Sequence, residues 1–523
     1  MKRFITLTVL LLTLLLVACT QPEKSNARAY VTSVVANTQD ASFRVEVRDP
    51  DNELEHRTFV IKIESASHGL EEVIEIPKNG VRTINFENLN RETTYAVRVL
   101  GRKAGADLEL YYKSDAVKTV KQGDVEKDPL MISTKEEFLN MDSKKHYKLT
   151  ADLDFQDESF APLFSSGAPF NGSFDGDNHT IKNINLVAES DVYKSYLSIF
   201  GYASKSTIKN IKFDNITIDN ASKPYIGIHY VGIVVSKISN NEFLLDNIEI
   251  TNSDVTIKHN LNQSATNRNL YIGLLGGSLQ GTISNITIKD SSLNVIQNGV
   301  NGTYSGADAA TTGTYIGGVV GLIEQDKGIN ISNIAFMDSE VNVEINQDKK
   351  SLGTGQIYIG SIFGSYRSDK NVSNLVSNGQ IHVTHTKHQD TEDTKLDMLY
   401  VGGLVGSMTK ASLQEAYFFG AVEATLSHPL NRVYTGLVAA QATKSGVRIL
   451  GGGSILVQSS TGTQIVPTSE VYPYTWREKS SEVKVLSTST ITIDGQLADL
   501  SGFGVETPDT FLTSDFIKKL LAA

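Results

Sequence analysis

Tyr315–Val343, YIGGVVGLIEQDKGINISNIAFMDSEVNV, contains three short runs that read as β-strands: YIGGVVG, INISNIAF and SEVNV. Each is rich in Val and Ile and bounded by Gly, Asn, Asp or Ser, the residues that end strands. The same triplet starts at Tyr230, Tyr271, Tyr358, Tyr400 and Tyr434, with a less regular copy from Tyr196. From Tyr230 onward the starts lie 41, 44, 43, 42 and 34 residues apart, a period that marks a solenoid or a propeller. A propeller blade needs four strands, and the repeat offers three, so a solenoid is favoured.

Two columns of residues sharpen that choice. The first is Asn210, Asn247, Asn285, Asn333 and Asn374, preceded by Asn183 in the lead-in. The second lies five residues later, at Asn215, Asn252, Asp290, Asp338, Gly379, Gly420 and Gly453, and the offset holds where the first column becomes Glu415 and Arg448. Every residue type in the second column tolerates the left-handed backbone of a sharp corner. A constant offset amid variable loops is what stacked coils require, because a one-residue slip turns inward side chains outward. Stacked Asn side chains would hydrogen-bond along the axis, and Ile286, Ile288, Val341 and Val343 would fill the interior. The expected body is a right-handed parallel β-helix of seven coils, on the order of 35 Å long at about 4.8 Å per coil.

The composition agrees with an all-β chain. Among 523 residues there are 41 Gly against 11 Pro, with 20 Tyr and 20 Phe, which suits a turn-rich β protein rather than a disordered one. The length predicts more than one domain. The net charge is −11, or −13 with Lys2 and Arg3 removed, 46 basic against 59 acidic residues. That excess acid argues against nucleic acid as a partner, since phosphate backbones want a basic stripe.

Lys2 and Arg3 precede an apolar run, Phe4–Val17, which is short for a membrane span but right for a signal peptide. The run ends Leu16-Val17-Ala18-Cys19, which resembles the lipobox of bacterial lipoproteins. The resemblance implies a signal peptide over 1–18, lipidation of Cys19 and a short tether over 19–26. The partner so implied is a membrane, reached through the N-terminal lipid, and the location is extracytoplasmic. Two acyl chains suffice for stable anchoring. Cys19 is the single cysteine, so the mature chain has no thiol left for disulfides, metals or nucleophilic chemistry.

Residues 27–121 lack the repeat. Alternating runs at Phe43–Val47, Thr58–Ile63, Glu72–Ile76, Thr94–Leu100 and Leu108–Tyr112 read as a small antiparallel sandwich. The run Leu89-Asn90-Arg91-Glu92-Thr93-Thr94-Tyr95-Ala96-Val97-Arg98-Val99 resembles the E–F corner and F strand of a fibronectin type III domain, an immunoglobulin-like fold. There a Leu, a Thr and a Tyr at this spacing pin a loop to the core. Arg91 stands where Pro is common, and no Trp marks the early strands.

Ser133-Thr134-Lys135-Glu136 predicts a capped helix reaching about Met141. The segment from His146 to Leu186 follows, with "YKLTADLDF" and "FNGSFDG". It resembles the opening segment of surface proteins that carry the GLUG motif, including the N-terminal regions of secreted Gram-positive zinc metalloproteases. The motif is spelled by Gly403-Leu404-Val405-Gly406, with Gly318-Val319-Val320-Gly321 a close variant. The resemblance spans about residues 130–457 and implies a β-helical fold. The domain plan is then a cap and lead-in over 130–186, coils over 187–457, and a C-terminal cap over 458–523. That last cap holds Trp476 and an amphipathic helix beginning near Thr513.

Chemistry is sparse. None of the ten His lies in H-E-x-x-H, so the protease activity of the similar proteins is not implied, and G-x-S-x-G, P-loop and C-x-x-C patterns are absent. No cofactor is expected. His382, His385 and His388 suggest a metal, yet on a strand His382 and His385 face opposite ways, so a solvated edge is expected. Asp152, Asp154, Asp157, Asp175 and Asp177 are oxygen donors suited to calcium, although turns and caps account for them too. The repeated acids Asp290 and Asp338 fall at corners rather than forming a catalytic pair.

Length variation concentrates between the last strand of one repeat and the next Tyr, at 219–229, 258–270, 296–314, 344–357, 384–399 and 425–433. In a stack these segments share one edge, and loop-bearing edges of repeat proteins are where binding usually sits. The longest, around Asn301, Tyr304 and Asp308, and the most charged, around His388, Asp390 and Asp393, are the expected ligand contacts. The function expected is non-catalytic, adhesin-like binding of a host or cell-surface glycan or protein. The alternatives are an enzyme acting on polysaccharide and a structural envelope protein.

Overall fold

The structure is a computed structural model that describes residues 25–78, 80–187, 194–220, 227–260, 269–298, 313–324, 330–347, 356–387, 398–427, 432–444, 446–460, 483–500 and 513–522. The chain divides into two compact units, Met1–Pro129 and Leu130–Ala523.

The first unit is built from β1 (Arg28–Ala36), β2 (Ala41–Arg48), β3 (Thr58–Glu64), β4 (Gly69–Glu75), β5 (Val81–Phe86), β6 (Thr94–Lys103) and β7 (Ala106–Lys118). They form two antiparallel sheets, ordered β1-β2-β5 and β4-β3-β6-β7. Alternation puts Phe43 and Val45 of one sheet, and Phe59, Ile61, Val97 and Val99 of the other, into a shared core. Strands β1 and β5 go beyond the runs read from the sequence. Tyr95 is fully buried, and its hydroxyl accepts the Asn90 backbone N–H at 2.7 Å. Leu89 is buried beside it. The threonine that holds the loop is Thr119, which accepts the Thr93 N–H at 2.8 Å and donates to the Asn90 carbonyl at 2.7 Å.

The second unit is a stack of parallel coils. One coil comprises Gly313–Gly317, Val320–Ile323, Ile331–Met337 and Glu340–Gln347. This corrects the reading of three strands: YIGGVVG breaks at Gly318-Val319 into two, giving four strand columns. Strand number therefore does not separate solenoid from propeller; pairing does. Each strand pairs in parallel with its equivalent one coil on, as Tyr271 with Tyr315 and Tyr358, Ile286 with Ile334 and Leu375, and Val295 with Val343 and Val383. The first two columns are sheets of seven strands each, and the third and fourth merge into one continuous sheet of 21. Ile286, Ile288, Val341 and Val343 lie in the single core that runs the length of the stack.

Both corner columns act as expected where they hold Asn or Asp. Asn210, Asn247, Asn285, Asn333 and Asn374 have φ between 52° and 58°, and Asn215, Asn252, Asp290 and Asp338 between 48° and 53°. Glu415 (57°) and Arg448 (51°) take the same left-handed form in the first column. Asn374 donates to Asn333 at 2.7 Å, and Asn333 to Asn285 at 2.8 Å. Asn285 turns instead to Asp246 at 2.7 Å, and the lower segment resumes with Asn247 to Asn210 at 2.9 Å. Asn183 heads the second column rather than the first, because it accepts from Asn215 at 2.7 Å.

Gly379, Gly420 and Gly453 correct the sequence reading, since none has a left-handed φ. They are glycine for closeness: a Cβ on Gly420 would lie 2.0 Å from the Gly379 carbonyl oxygen, and one on Gly453 2.1 Å from that of Gly420. Gly406, which ends the GLVG run, answers to the same constraint, with a Cβ falling 2.5 Å from the Gly364 oxygen of the adjacent coil.

Helix α1 (Lys135–Leu139) starts at Thr134 with a full capping box whose acid is Glu137. Its Phe138 is fully buried and meets Phe155, Phe174 and Phe200 at ring distances of 5.8, 5.7 and 6.2 Å, plugging the N-terminal end of the core. At the other end, strands Val483–Val485 and Thr490–Ile493 extend the third and fourth columns. Helix α2 (Asp515–Ala522) does not close that end. It lies on the outer face of the third column, where Phe516, Ile517, Leu520 and Leu521 pack on Ala335, Met337, Val376, Tyr417 and Leu450. The reason is in the strands: the same row reads Lys212, Glu249 and Thr287 on earlier coils, then Ala335, Val376, Tyr417 and Leu450. Trp476 lies outside the described residues.

Candidate functional site

The edge where the fourth column hands over to the first column of the next coil is the candidate site. Its departure points stack in register, as Asn260, Asn298 and Asn346 do, and so do its arrival points, Gly313, Gln356, Met398 and Arg432. The variable segments therefore leave and return along one line parallel to the axis. Asn301, Tyr304, Asp308, His388, Asp390 and Asp393 lie outside the described residues, as does Cys19.

Beside that edge the fourth column turns a polar face outward. Thr256, Asn294, Asn342, His382 and Glu423 form one row, and Lys258, Ile296, Glu344, Thr384 and Thr425 the next. The amides are held in place: Asn298 donates to Asn260 at 2.7 Å, Asn346 to Asn298 at 3.2 Å, and Asn342 to Asn294 at 2.9 Å. A shallow depression of about 390 Å³ opens here, between Asn294, Ile296, Asn342, Glu344, His382 and Thr384. This surface can exchange hydrogen bonds with a ligand in both directions.

On the inner side, His382 and His385 part as expected. His382 points out, 3.5 Å from Glu423, but His385 is buried at 3 % exposure rather than solvated. It shares an inward row with His259, Gln297 and Ile345. His388 lies outside the described residues.

The acidic lead-in residues do turn work. Asp152 accepts from the Thr180 N–H at 2.9 Å and from His179 at 3.0 Å; these bonds hold its carboxyl below the ordinary value. Asp154 accepts from Asn183 and from the Gln156 N–H. Asp175 accepts from Asn210 and from the Asp177 N–H, while Asp177 pairs with Lys148 at 3.0 Å. Asp157 takes a left-handed φ of 61°. Among the described residues no group of three or more His, Cys, Asp or Glu is placed to hold a metal ion. Asp290 and Asp338 sit at corners on either side of Lys289.

One feature went unread in the sequence although it marked every repeat. Tyr196, Tyr230, Tyr271, Tyr315, Tyr358, Tyr400 and Tyr434 stack with ring centroids 4.6 to 5.3 Å apart and planes within 16°. The six from Tyr230 onward are buried, forming with Leu322 and Ala440 a second core apart from the main one. Arg367 reaches over the Tyr315 ring and donates to its hydroxyl, and Lys237 does the same at Tyr230. Burial pushes the phenols of Tyr230, Tyr271 and Tyr358 far above the ordinary value of 10. The exact recurrence of Tyr was the available sign. The column stabilises the stack and is closed to a ligand.

No family model matches this chain, and no curated protein matches it either.

Proposed function

We propose that the chain is a lipid-anchored bacterial surface protein whose solenoid is a non-catalytic, adhesin-like binder of a glycan or protein on a host or neighbouring cell. One observation carries the reading: residues flanking the variable segments stack in register along a single edge, which gathers the most variable polar sequence on one line. The solenoid is read as right-handed, and its GLUG-like glycines and lead-in as those of β-helical surface proteins. The first unit is read as a fibronectin type III-like spacer, with the Tyr95–Asn90 bond in support. Cys19 would carry the lipid.

A glycan-array and cell-binding screen of the lipidated chain, with reducing-sugar release measured alongside, tests the function. Binding without release supports it. Sugar release points to an enzyme, and binding to neither glycans nor cells to an envelope scaffold. Shortening 299–312 and 388–397 to two-residue turns should abolish cell binding with the circular dichroism unchanged, because loop-closure entropy varies slowly with length. Cys19→Ser should end labelling by a palmitate analogue; labelling at the parent level refutes the anchor.

A further inference from the structure

We infer that the outward face of the fourth strand column is a track for a linear pyranose polymer of neutral or amine-bearing units, lying along the axis and seated over the depression at Glu344. This inference rests on the reading of the solenoid as a surface binder, and assigns that binder a ligand class and a face distinct from its loops.

Three observations lead there. The first is periodicity. Equivalent side chains recur once per coil, at about 4.8 Å, close to the advance of one pyranose unit along an extended chain. A repeating polymer can then make the same contacts on successive coils, whereas a globular protein surface without stacked coils has no such repeat to offer.

The second is the chemistry of the positions. They are mostly amides, hydroxyls and carboxylates, joined by Lys258 and the His382 imidazole, with Ile296 the apolar patch in the depression. Asn342 is fixed by donating to Asn294 and Glu340, and Glu344 by accepting from Asn346 at 2.7 Å. Fixed amides and carboxylates serve vicinal hydroxyls without further loss of rotamer freedom, and a small aliphatic patch suits a sugar ring face. From Asp254 to Thr425 the outward positions carry no Phe, Tyr or Trp, so an apolar protein partner would find no anchor.

The third is charge. The same positions carry Asp254, Glu340, Glu344 and Glu423 against one lysine, Lys258. A polyanion is repelled. Free amino groups would meet Glu344 and Glu423, and neutral units would bind through hydroxyls alone.

Isothermal titration calorimetry of the full chain with hexamers of glucosamine, glucose and galacturonate, all β- or α-linked through position 4, tests the idea. The glucosamine hexamer should bind tightest, the glucose hexamer more weakly and galacturonate least, with hexamers at least about tenfold tighter than dimers. Glu344→Lys and Thr384→Lys, both at exposed positions, should weaken binding about tenfold or more with the unfolding midpoint unchanged. Glu344→Gln should reduce the preference for glucosamine over glucose. The inference is overturned if galacturonate binds best, if the lysine variants bind like the parent, or if no hexamer binds. Should the loop-shortened chain lose cell binding while the lysine variants keep it, the edge loops are the site and this face is not. If hexamer binding survives loop shortening, the face binds independently.

Discussion

The carboxylate of Glu415 accepts the backbone N–H of Ser514 at 3.0 Å, tying a coil corner to the start of helix α2. It also accepts from the Thr513 N–H at 3.0 Å and the Thr513 hydroxyl, and Arg448 lies 2.6 Å away. Glu415 and Arg448 replace the corner asparagine only on the coils beside that helix. A corner position has become a helix anchor, with the negative charge at the end of the helix that favours it.

An eight-residue helix has little stability of its own, so α2 should depend on this anchor and on the apolar strip beneath. Glu415→Ala should cost about 1–3 kcal/mol of docking and remove hydrogen-exchange protection from 513–522, leaving the coils protected. Burial works against ionisation of Glu415, but the bonds from Thr513 and Ser514 outweigh it and hold its pKa below 4.5. A lowered folded pKa means the contribution is complete above 4.5 and is lost as pH falls through the folded value. Acid should therefore release α2 before the coils unfold. Equal loss of protection in helix and coils would contradict the anchor.

Gly420 and Asn285 separate two reasons for a small or flexible residue. At Gly420 the neighbouring coil is too close, so Gly420→Ala and Gly420→Asn should both lower stability by about 1–3 kcal/mol or more. Asn285 is left-handed, φ 55°, so Asn285→Gly keeps the backbone and forfeits ladder hydrogen bonds, about 0.5–1.5 kcal/mol. Denaturant midpoints decide. A Gly420→Asn variant as stable as the parent would restore the left-handed explanation.

The legible parts of this fold were those fixed by period and backbone. The Asn and Asp corners and the inward Ile and Val follow from spacing that admits few alternatives, whereas the capping box falls one residue later than Ser133-Thr134-Lys135-Glu136 suggests, at Thr134 and Glu137. The fourth strand was hidden because the bend at Gly318 and Val319 falls inside a run that looks continuous, where Gly317 and Gly318 leave no room for a Cβ. The role of α2 was hidden because its partners, Met337, Val376, Tyr417 and Leu450, are far apart in sequence and become one strip only after stacking. The tyrosines showed their period but not their packing, since a strand residue every coil can stack, face solvent or fill a core. For the site, the sequence located the variable edge, whereas the row of amides beside it needed the register.

Tyr315 is fully buried between Tyr271 and Tyr358, at 5.1 and 5.2 Å. Tyr315→Ala should therefore cost about 3–5 kcal/mol, partly from lost stacking. Tyr196, at the end of the column and only partly buried, stacks on Tyr230 alone within it, so Tyr196→Ala should cost clearly less. Urea unfolding of the two variants checks the ranking, and equal losses would argue against a cooperative column.

Alkali gives the complementary test. Burial raises the Tyr366 and Tyr417 phenols to about 12, and those of Tyr230, Tyr271 and Tyr358 further. A phenol with a raised folded pKa holds its proton more tightly in the folded chain. Its contribution is whole below the ordinary value of 10 and is lost as pH climbs towards the folded value. Above pH 10 the coils should thus lose stability steadily, and Tyr230, Tyr271, Tyr358, Tyr366 and Tyr417 should ionise together with the loss of β-sheet signal. Tyr417 also packs among the residues that meet α2, so Tyr417→Phe, which removes the titrating hydroxyl and keeps the ring, should reduce the alkaline slope of stability. Parallel tyrosinate absorbance and circular dichroism would read this directly. Ionisation of the whole tyrosine set near pH 10 with the β-sheet signal intact would show that the column is open to water.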